Sequence, residues 1–404
     1  MPTLFLVLAA LEAVAVLNAV RPWRATPVLL PAFFAAWLTA ELAPQLIVLA
    51  VLETAALVLL GAVSGARGVV ALLLMAANVA GLLRMVRSSE AAAEVADRAL
   101  AEMPDGPEPE SEVEATSRLR RFFVPMSFRH PDVERTVDVR YSDVSKRHRL
   151  DVYRHKDHPT GCPTLLQVHG GGWVIGDKRE QGRPLMLHLA SRGWVCFAPN
   201  YRLSPRATWP DHLVDVKRAL AWVRTEGAAY GADPGFLVLT GGSAGGHLVA
   251  LAALTANDPR YQPGFEDVDT SVSGCVPYYG VYDLAGETGT KAAKVRRRHV
   301  LERIVMKTTE DQVYRDASPL EAVRADAPPF LVIHGRNDTL VPVAEARLFV
   351  ERLRAVSTSP VLYIELPGTQ HAFDVFPSIR SAHVVRAVGR FVELLRLRAE
   401  QSAS

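Results

Sequence analysis

The segment that most constrains how this chain can fold is residues 238–247, which reads Val-Leu-Thr-Gly-Gly-Ser-Ala-Gly-Gly-His. The apolar run Phe236–Leu239 leads into it, and the helix-like apolar stretch His247–Leu254 follows. The Gly-x-Ser-x-Gly pattern in this context predicts that Ser243 lies on a sharp turn between a strand and a helix, with its hydroxyl exposed. Small residues are needed there because the strand and the helix approach closely and the turn demands unusual backbone angles. Ser243 is therefore a candidate nucleophile.

A second glycine-rich segment, His169-Gly170-Gly171-Gly172-Trp173, follows the apolar run Thr164–Val168. The tetrahedral intermediate of acyl transfer carries a negative oxygen, which must meet preorganised N–H donors. Three consecutive glycines let the backbone approach a substrate and turn its amides toward that oxygen. A flexible linker is the alternative, but the strand and the histidine directly before the glycines argue against it. We expect His169 to brace this loop by hydrogen bonding rather than to act as a base.

Two later segments supply an acid and a base in the order that this mechanism uses. Asp338 follows the strand-like run Phe330–Ile333, and His371 follows the strand-like run Val361–Leu366. An acid at the end of a late strand can orient a histidine and stabilise its imidazolium form. Either residue alone is best interpreted as an ordinary loop residue. Together with Ser243 they complete the chain order Ser, Asp, His and predict a catalytic triad.

Residues 160 to 400 resemble the α/β-hydrolase superfamily, and more narrowly the bacterial hormone-sensitive-lipase-like esterases. Besides the motifs above, the matching segments are Asn200-Tyr201-Arg202-Leu203-Ser204-Pro205, Trp209-Pro210, Asp215 and Tyr230-Gly231-Ala232-Asp233-Pro234. The resemblance implies an eight-stranded, mostly parallel sheet with helices on both faces. It also implies hydrolysis of carboxylic esters without metal or cofactor, and an oxyanion hole formed by the N–H groups of Gly171, Gly172 and Ala244, with Gly170 supporting the loop. Members usually carry an acidic residue directly before the serine, whereas this chain has Gly242.

The predicted activity is therefore that of a serine carboxylesterase or lipase, acting on a small-molecule or lipid ester. An amidase or deacetylase can use the same three residues, because selectivity lies in the pocket rather than in the fold. A catalytically silent scaffold is the third hypothesis, although such proteins typically lose one of the three residues. Cys162, Cys196 and Cys275 have no metal-ligand spacing and cannot all pair. The net charge of +2 and the lack of a recognition motif give no support to a nucleic-acid partner.

The amino-terminal part of the chain has a different composition. Residues 1 to 86 contain only seven charged residues, and apolar runs occupy approximately 3–20, 26–40, 46–63 and 69–86. Most of these runs approach the roughly 18 to 20 residues that span a bilayer, and the second is short. A signal peptide would have a basic start and a single short apolar core. A soluble helical subdomain would show a polar face at helical spacing. We therefore predict a multi-pass region in a bacterial cell membrane.

The direction of this membrane region depends on two basic clusters, Arg21 with Arg24 and Arg84 with Arg87. Both are expected on the cytoplasmic side. The two clusters can both lie on the cytoplasmic side only if the number of crossings is odd. The middle segment must then be re-entrant or tilted, and the amino terminus must lie outside. Four full crossings would place one cluster on the opposite side. The sequence leaves three and four crossings open.

Three parts follow from these patterns: a transmembrane region (1–87), a linker that is helical and then acidic and proline-rich (88–116), and a catalytic domain (117–404). In the relatives, the stretch corresponding to 283–327 contributes to a cap over the acyl pocket. The basic and aromatic segment 118–130 is either a lid or membrane-surface element or a segment that packs its aromatic residues on the core. Within the cap, Arg296–His299 is expected to be a solvated helix face.

Overall fold

The computed structural model describes residues 1–24, 26–103 and 129–403. Within this part, eight strands form one sheet in the order β1-β2-β4-β3-β5-β6-β7-β8. The strands are β1 (Val133–Arg140), β2 (Arg149–His155), β3 (Cys162–Val168), β4 (Val195–Pro199), β5 (Ala232–Gly242), β6 (Gly274–Tyr278), β7 (Phe330–Gly335) and β8 (Val361–Leu366). β1 and β2 pair antiparallel, β2 is antiparallel to β4, and the remaining pairs are parallel. The predicted α/β class with a mostly parallel sheet is confirmed.

Four apolar helices precede the sheet, namely α1 (Pro2–Val20), α2 (Leu29–Glu41), α3 (Ala43–Leu59) and α4 (Gly65–Leu100). The main helices that follow are α5 (Arg183–Ala190), α6 (Asp211–Glu226), α7 (Ala244–Leu254), α8 (Lys291–Arg296), α9 (Asp311–Asp316), α10 (Val343–Val356) and α11 (Ile379–Ala403). A π-helical segment, Arg297–Val305, directly continues α8.

The parallel strands are apolar throughout because helices cover both faces of the sheet. Successive residues of a strand point to opposite faces, so Leu165 and Leu166 of β3 belong to two different cores. Side chains of α6, α7 and α10 fill one core. Side chains of α5, α11 and the second half of α4 fill the other. Cys196 in β4 and Cys275 in β6 are buried and unpaired, as expected of small apolar core residues.

The four apolar runs of the sequence form the four amino-terminal helices. α1 and α4 are each long and apolar enough to cross a membrane, and α2 and α3 meet at an angle of 86°. If this bent pair counts as one broken span, the described residues hold up to three crossings. α2 has only 13 residues, so it is too short to cross a bilayer by itself.

α1 and α4 run in the same direction. Arg67 near the start of α4 donates a hydrogen bond to Thr3 at 3.2 Å, and Asn78 donates one to the carbonyl of Ala9 at 2.9 Å. A Cβ at Gly81 would overlap the side chain of Val16, so glycine permits the close approach of these two helices.

Both basic clusters lie at the end of the helical bundle that adjoins the sheet. Val20, next to Arg21, accepts a hydrogen bond from Asn337 in the loop after β7, at 3.4 Å. Ser88, next to Arg87, donates a hydrogen bond at 2.8 Å to the carbonyl of Pro367, just after β8. The chain thus reaches this end through α1, leaves it through α3 and returns to it through α4.

α4 runs without a break through the predicted boundary at residue 87. Its second half packs on the sheet, where Asp97 forms an ion pair with Arg390 of α11. The division into three domains stays a prediction, but this helix is shared between the first two parts and the core of the third. The proline-rich part of the linker, the predicted domain start at residue 117 and most of segment 118–130 lie outside the described residues.

α2 is fastened to the sheet region by buried polar contacts. Glu41, at its end, forms an ion pair with Arg380 and accepts a hydrogen bond from Ser378 at 2.6 Å. Trp37 donates from its indole nitrogen to the carbonyl of Ala372 at 2.9 Å and stacks on Phe376 with ring centroids 4.8 Å apart. Trp37 is thus packed against the loop after β8.

Candidate active site

Ser243 occupies the turn between β5 and α7, with backbone angles of φ 57° and ψ −120°. Such angles are strained for a residue other than glycine, and they push the side chain out of the turn. A Cβ at Gly241 would lie 2.7 Å from the carbonyl oxygen of Val168, and one at Gly246 would lie 2.8 Å from that of Tyr278. A Cβ at Gly241 would also lie 2.8 Å from the carbonyl of Gly245 in α7, so these glycines are required both by the predicted close approach of strand and helix and by that of the neighbouring strands.

Asp338 and His371 meet at the carboxyl ends of β7 and β8. Nδ1 of His371 lies 2.6 Å from Oδ2 of Asp338, and both residues are buried. The backbone N–H groups of Leu340 and Val341 each donate to Oδ1 of Asp338 at 2.8 Å. Burial alone would raise the pKa of Asp338, but the charge of His371 and hydrogen bonds from His334 and His371 together lower that pKa below its usual range. Asp338 is thus held as a carboxylate facing His371.

His334 is a further neighbour of this pair. Its Nε2 lies 3.4 Å from Oδ2 of Asp338 and 3.0 Å from the carbonyl oxygen of Val341. His334 directly follows the strand-like run Phe330–Ile333, and its contact with Asp338 was not identified from the sequence. A signal was present, because His334 is the next-to-last residue of β7 and lies four residues before Asp338.

Tyr279 and Asp374 were not identified from the sequence. The ring of Tyr279 lies 4.4 Å from that of His371, centroid to centroid, and its hydroxyl donates to the carboxylate of Asp374. Burial raises the pKa of Asp374 to about 6, and the Tyr279 hydrogen bond opposes that rise only in part. The two residues are 95 positions apart, so no local pattern indicates this contact.

The same tyrosine provides a physical reason why the residue before the candidate nucleophile is Gly242 and not an acidic residue. A Cβ at Gly242 would lie 2.7 Å from the hydroxyl oxygen of Tyr279 and 2.9 Å from the nearest ring carbon. Tyr279 is fully buried and cannot easily move away. No acidic side chain fits at position 242 while Tyr279 stands there.

The glycine loop after β3 lies against the nucleophile turn. Gly171 and Gly172 have φ values of 105° and 59°, which favour glycine, and a Cβ at Gly171 would overlap the carbonyl of Ile175. A Cβ at Gly170 would lie 3.0 Å from the Cβ of Ser243, so this loop touches the candidate nucleophile closely. Ala244 is the first residue of α7, where a backbone N–H has no partner within the helix. Of the three proposed oxyanion donors, Ala244 adjoins Ser243 in the chain, and Gly171 and Gly172 line the same cavity as Ser243.

His169 is enclosed beneath this loop. Its Nδ1 lies 2.8 Å from the carbonyl oxygen of Gly170, and its ring stacks on Tyr201 at 4.5 Å. Tyr201 in turn donates to the carbonyl of His169 at 3.1 Å. Burial lowers the pKa of His169 to about 4, so the ring is neutral near pH 7. These contacts favour a bracing role for His169 over that of a base.

A cavity of about 1000 Å³ connects these groups. Its walls come from the glycine loop, the loops after β7 and β8, the cap segment and α2. Residues on it include Gly171, Gly172, Ser243, Asp338, His371, Val295, His299, Val300, Leu30, Phe33, Phe34 and Trp37. The four α2 residues belong to the predicted membrane region, which was not expected at the site.

The basic run of the cap is only partly solvated. Arg296 pairs with the buried Glu345 at 2.7 Å, and Arg297 pairs with Asp311 and lies over the ring of Tyr314. Arg298 and His299 are exposed, as expected of a solvated face. Across residues 1–24, 26–103 and 129–403, no group of three or more His, Cys, Asp or Glu side chains could hold a metal ion.

A mostly parallel eight-stranded sheet that carries a serine on a strand-to-helix turn, followed by an acid and a histidine at later strand ends, defines an α/β-hydrolase. The BD-FAE family profile matches residues 150–353, which is about half of the chain. The chain belongs to this family of α/β-hydrolases.

Similar proteins are esterases by name. The chain is 55% identical over 260 residues to a "Probable carboxylic ester hydrolase LipM" of Mycobacterium tuberculosis, covering 63% of this chain and 60% of that protein. It is 46% identical over 265 residues to "Esterase LipQ" of the same organism, covering 64% and 62%. A solved esterase from Thermogutta terrifontis with butyrate bound is 26% identical, with a TM-score of 0.55, covering 66% of this chain and 95% of that one. The chain therefore spans about three fifths of the curated relatives it matches.

Proposed function

We propose that this protein is a membrane-anchored serine carboxylesterase that hydrolyses carboxylic esters through an acyl-serine intermediate. The hydrogen bond of 2.6 Å between His371 and Asp338, on the cavity that also receives Ser243, is the observation that carries the proposal. The names of the similar proteins support ester substrates. The residue roles below are part of the proposal.

In the first step, the carboxylate of Asp338 accepts a hydrogen bond from Nδ1–H of His371, which holds the ring in the tautomer whose Nε2 is free to act as the base. Nε2 takes the proton of the Ser243 hydroxyl as its oxygen attacks the ester carbonyl carbon, and the carbonyl electron pair moves to the oxygen. The intermediate then collapses, the bond to the alcohol oxygen breaks, and the alcohol leaves with the proton from His371. The acyl group remains on Ser243.

In the second step, His371 removes a proton from water, and the resulting nucleophile attacks the acyl-serine. Collapse of this intermediate releases the acid and returns the proton to Ser243. In both steps the N–H groups of Gly171, Gly172 and Ala244 receive the negative oxygen. Loss of one such donor typically lowers the rate about 100- to 1000-fold.

The membrane part of the proposal is a bundle with three crossings, formed by α1, the broken pair α2–α3, and α4. Both basic clusters adjoin the sheet, and only Arg67 is found near the opposite end among the arginines of residues 1–24 and 26–87. Because basic residues remain in the cytoplasm, this distribution supports a catalytic domain on the cytoplasmic face and an amino terminus outside.

The activity is tested with p-nitrophenyl butyrate and the detergent-purified full-length protein. We expect turnover in the wild type, loss of about 10⁴-fold or more in Ser243→Ala, and no change in Ser402→Ala, which alters an exposed serine near the end of α11. A fluorophosphonate should label the wild type and not Ser243→Ala. Equal turnover in Ser243→Ala and the wild type would refute the proposal.

The orientation is tested separately with reporters fused after residue 404. Green fluorescent protein should fluoresce there, and alkaline phosphatase should be inactive. The reverse pattern would place the catalytic domain outside the cytoplasm and contradict the proposed orientation.

A further inference from the structure

The side of the active-site cavity that faces the membrane region is made by α2. Leu30 and Phe34 form one row along this helix, and Phe33 and Trp37 form another, because residues four apart lie on the same helical face. All four border the cavity. Phe33 reaches the candidate base directly, with its ring 6.3 Å from that of His371 in an edge-on arrangement. An apolar helix of the membrane region thus lies within contact of the reacting groups.

The adjacent face of α2 packs into the helical bundle. Ala36 and Ala40 are buried there against Val16 of α1 and Leu82 of α4. α2 therefore has a small-residue face toward the spanning helices and an aromatic face toward the cavity. Because both faces of α2 are in use in this way, the helix has no polar face, although it is too short to cross a bilayer.

α2 is a fixed wall rather than a loose cover. The buried pair of Glu41 with Arg380, and the hydrogen bond from Trp37 to Ala372, fasten both its end and its middle to the hydrolase core. The cavity that it closes has a volume of about 1000 Å³, at the upper end of the range for ligand pockets. Val295 and Val300 of the cap supply a second apolar wall.

The mouth of the cavity lies where this wall meets the membrane region. Leu30 and Phe34 line the cavity and yet remain 60% and 51% exposed. Exposed apolar side chains next to spanning helices cost free energy in water and none in lipid. The cavity therefore opens toward a surface that hydrocarbon chains can reach without crossing water.

We propose that the substrate is a long-chain fatty acyl ester that enters from the bilayer, with its chain lying along the Leu30, Phe33 and Phe34 face of α2 and its ester carbonyl at Ser243. The proposal rests on the esterase function proposed above and narrows it to a lipid substrate. The bonds broken and formed are those already described. α2 contributes by binding the chain and by excluding water from it.

The first test compares two leucines that are equally exposed. Leu30 borders the cavity, whereas Leu49 on α3 is 59% exposed and does not border it. The quantity measured is the ratio of kcat/KM for p-nitrophenyl palmitate to that for p-nitrophenyl acetate, in detergent micelles. Leu30→Ala should lower this ratio about three- to tenfold, because a truncated side chain loses apolar contact with a long chain only. Phe34→Ala should lower it by at least as much, and Leu49→Ala should leave it unchanged.

The outcomes separate the two proposals. If the wild type hydrolyses neither ester, the esterase function itself is wrong. If it hydrolyses the acetate but not the palmitate, or if Leu30→Ala and Leu49→Ala change the ratio equally, the esterase function stands and the acyl site on α2 is refuted.

The second test concerns the route of entry. The full-length protein is reconstituted in phosphatidylcholine vesicles, and p-nitrophenyl palmitate is placed either in the same vesicles or in separate ones. Initial rates should be at least about tenfold higher when protein and ester share a bilayer, with p-nitrophenyl acetate added to the water phase as the control for active protein. Equal initial rates for the two placements, with the acetate hydrolysed normally, would overturn entry from the bilayer.

Discussion

Replacement of Gly242 by alanine tests whether the ring of Tyr279 excludes a larger residue directly before the candidate nucleophile. Its new Cβ would lie 2.7 Å from the hydroxyl oxygen of Tyr279 and 2.9 and 3.0 Å from two ring carbons, where ordinary contact begins at 3.4 Å. Gly242 does not have a positive φ, so alanine meets no backbone strain there. The effect of Gly242→Ala is therefore steric, and Tyr279 must shift by several tenths of an ångström.

The expected magnitude follows from what Tyr279 contacts. Overpacking of a rigid core typically costs about 1 to 3 kcal/mol, and weakening a hydrogen bond to a charged group such as Asp374 costs about 1.5 to 3 kcal/mol. We expect a loss of about 3 kcal/mol in the free energy of unfolding, seen as a Tm lower by roughly 6 to 12 °C. Because the Tyr279 ring lies 4.4 Å from that of His371, kcat for p-nitrophenyl acetate should also fall, by about tenfold.

A double-mutant cycle with Tyr279→Leu isolates the clash. In that background the ring atoms are gone, so Gly242→Ala should cost less than about 0.5 kcal/mol, which gives a coupling of at least about 2.5 kcal/mol between the two sites. Thermal unfolding and ester turnover are measured on all four proteins. Additive costs in the cycle, or a Gly242→Ala variant as stable and active as the wild type, would refute the steric explanation.

Three further changes have defined outcomes. Asp338→Asn should keep the fold and lower kcat about 10⁴-fold, since an amide stabilises the wrong tautomer of His371 and no imidazolium; a loss under tenfold in steady-state kinetics would contradict the triad. Asp374 has a pKa raised from 3.8 to about 6 in the folded protein, so its contribution to stability is present below pH 4 and is lost as pH rises through 6. The stability of Asp374→Asn relative to the wild type should therefore rise between pH 4 and pH 8, by up to about 3 kcal/mol in the free energy of unfolding, and this rise is measured as a growing difference in Tm. A difference in Tm that does not change with pH would contradict the raised pKa of Asp374. Glu41→Gln leaves Arg380 buried without its charge partner and should lower the free energy of unfolding by about 3 to 5 kcal/mol. The control Glu94→Gln changes an exposed pair on α4 and should lower it by less than about 1 kcal/mol. Equal unfolding midpoints for these two variants in a chemical denaturation series would show that the buried pair does not fasten α2.

Much of the fold was predictable because each constraint lies within a few residues. The apolar run before Ser243, the glycines around it and the apolar run after it describe a strand, a tight turn and a helix without reference to the rest of the chain. Asp338 and His371 were found in the same way, each directly after a strand-like run. Parallel strands bring their carboxyl ends to one edge, so order along the chain was enough to predict that these residues converge.

The arrangement of the amino-terminal apolar helices was predictable only in part. Apolar length indicates helices, but it does not tell whether a short run crosses the bilayer, bends within it or lies against another domain. The 86° bend between α2 and α3 depends on what each helix packs against. It also brings both basic clusters to one end of the bundle, which favours three crossings over four.

What the amino-acid sequence determined by itself is local: the strand-to-helix turn that carries Ser243, the glycine loop, the strand-end positions of Asp338 and His371, and the apolar helices. Tertiary packing decided the rest. Glu41 and Arg380 are 339 residues apart, and Trp37 and Ala372 are 335 apart, yet these contacts place α2 on the active-site cavity. The physical reason is that backbone strain and hydrophobic period act over a few residues, whereas the contact of an apolar amino-terminal helix with the candidate active-site cavity depends on how two distant surfaces fit together.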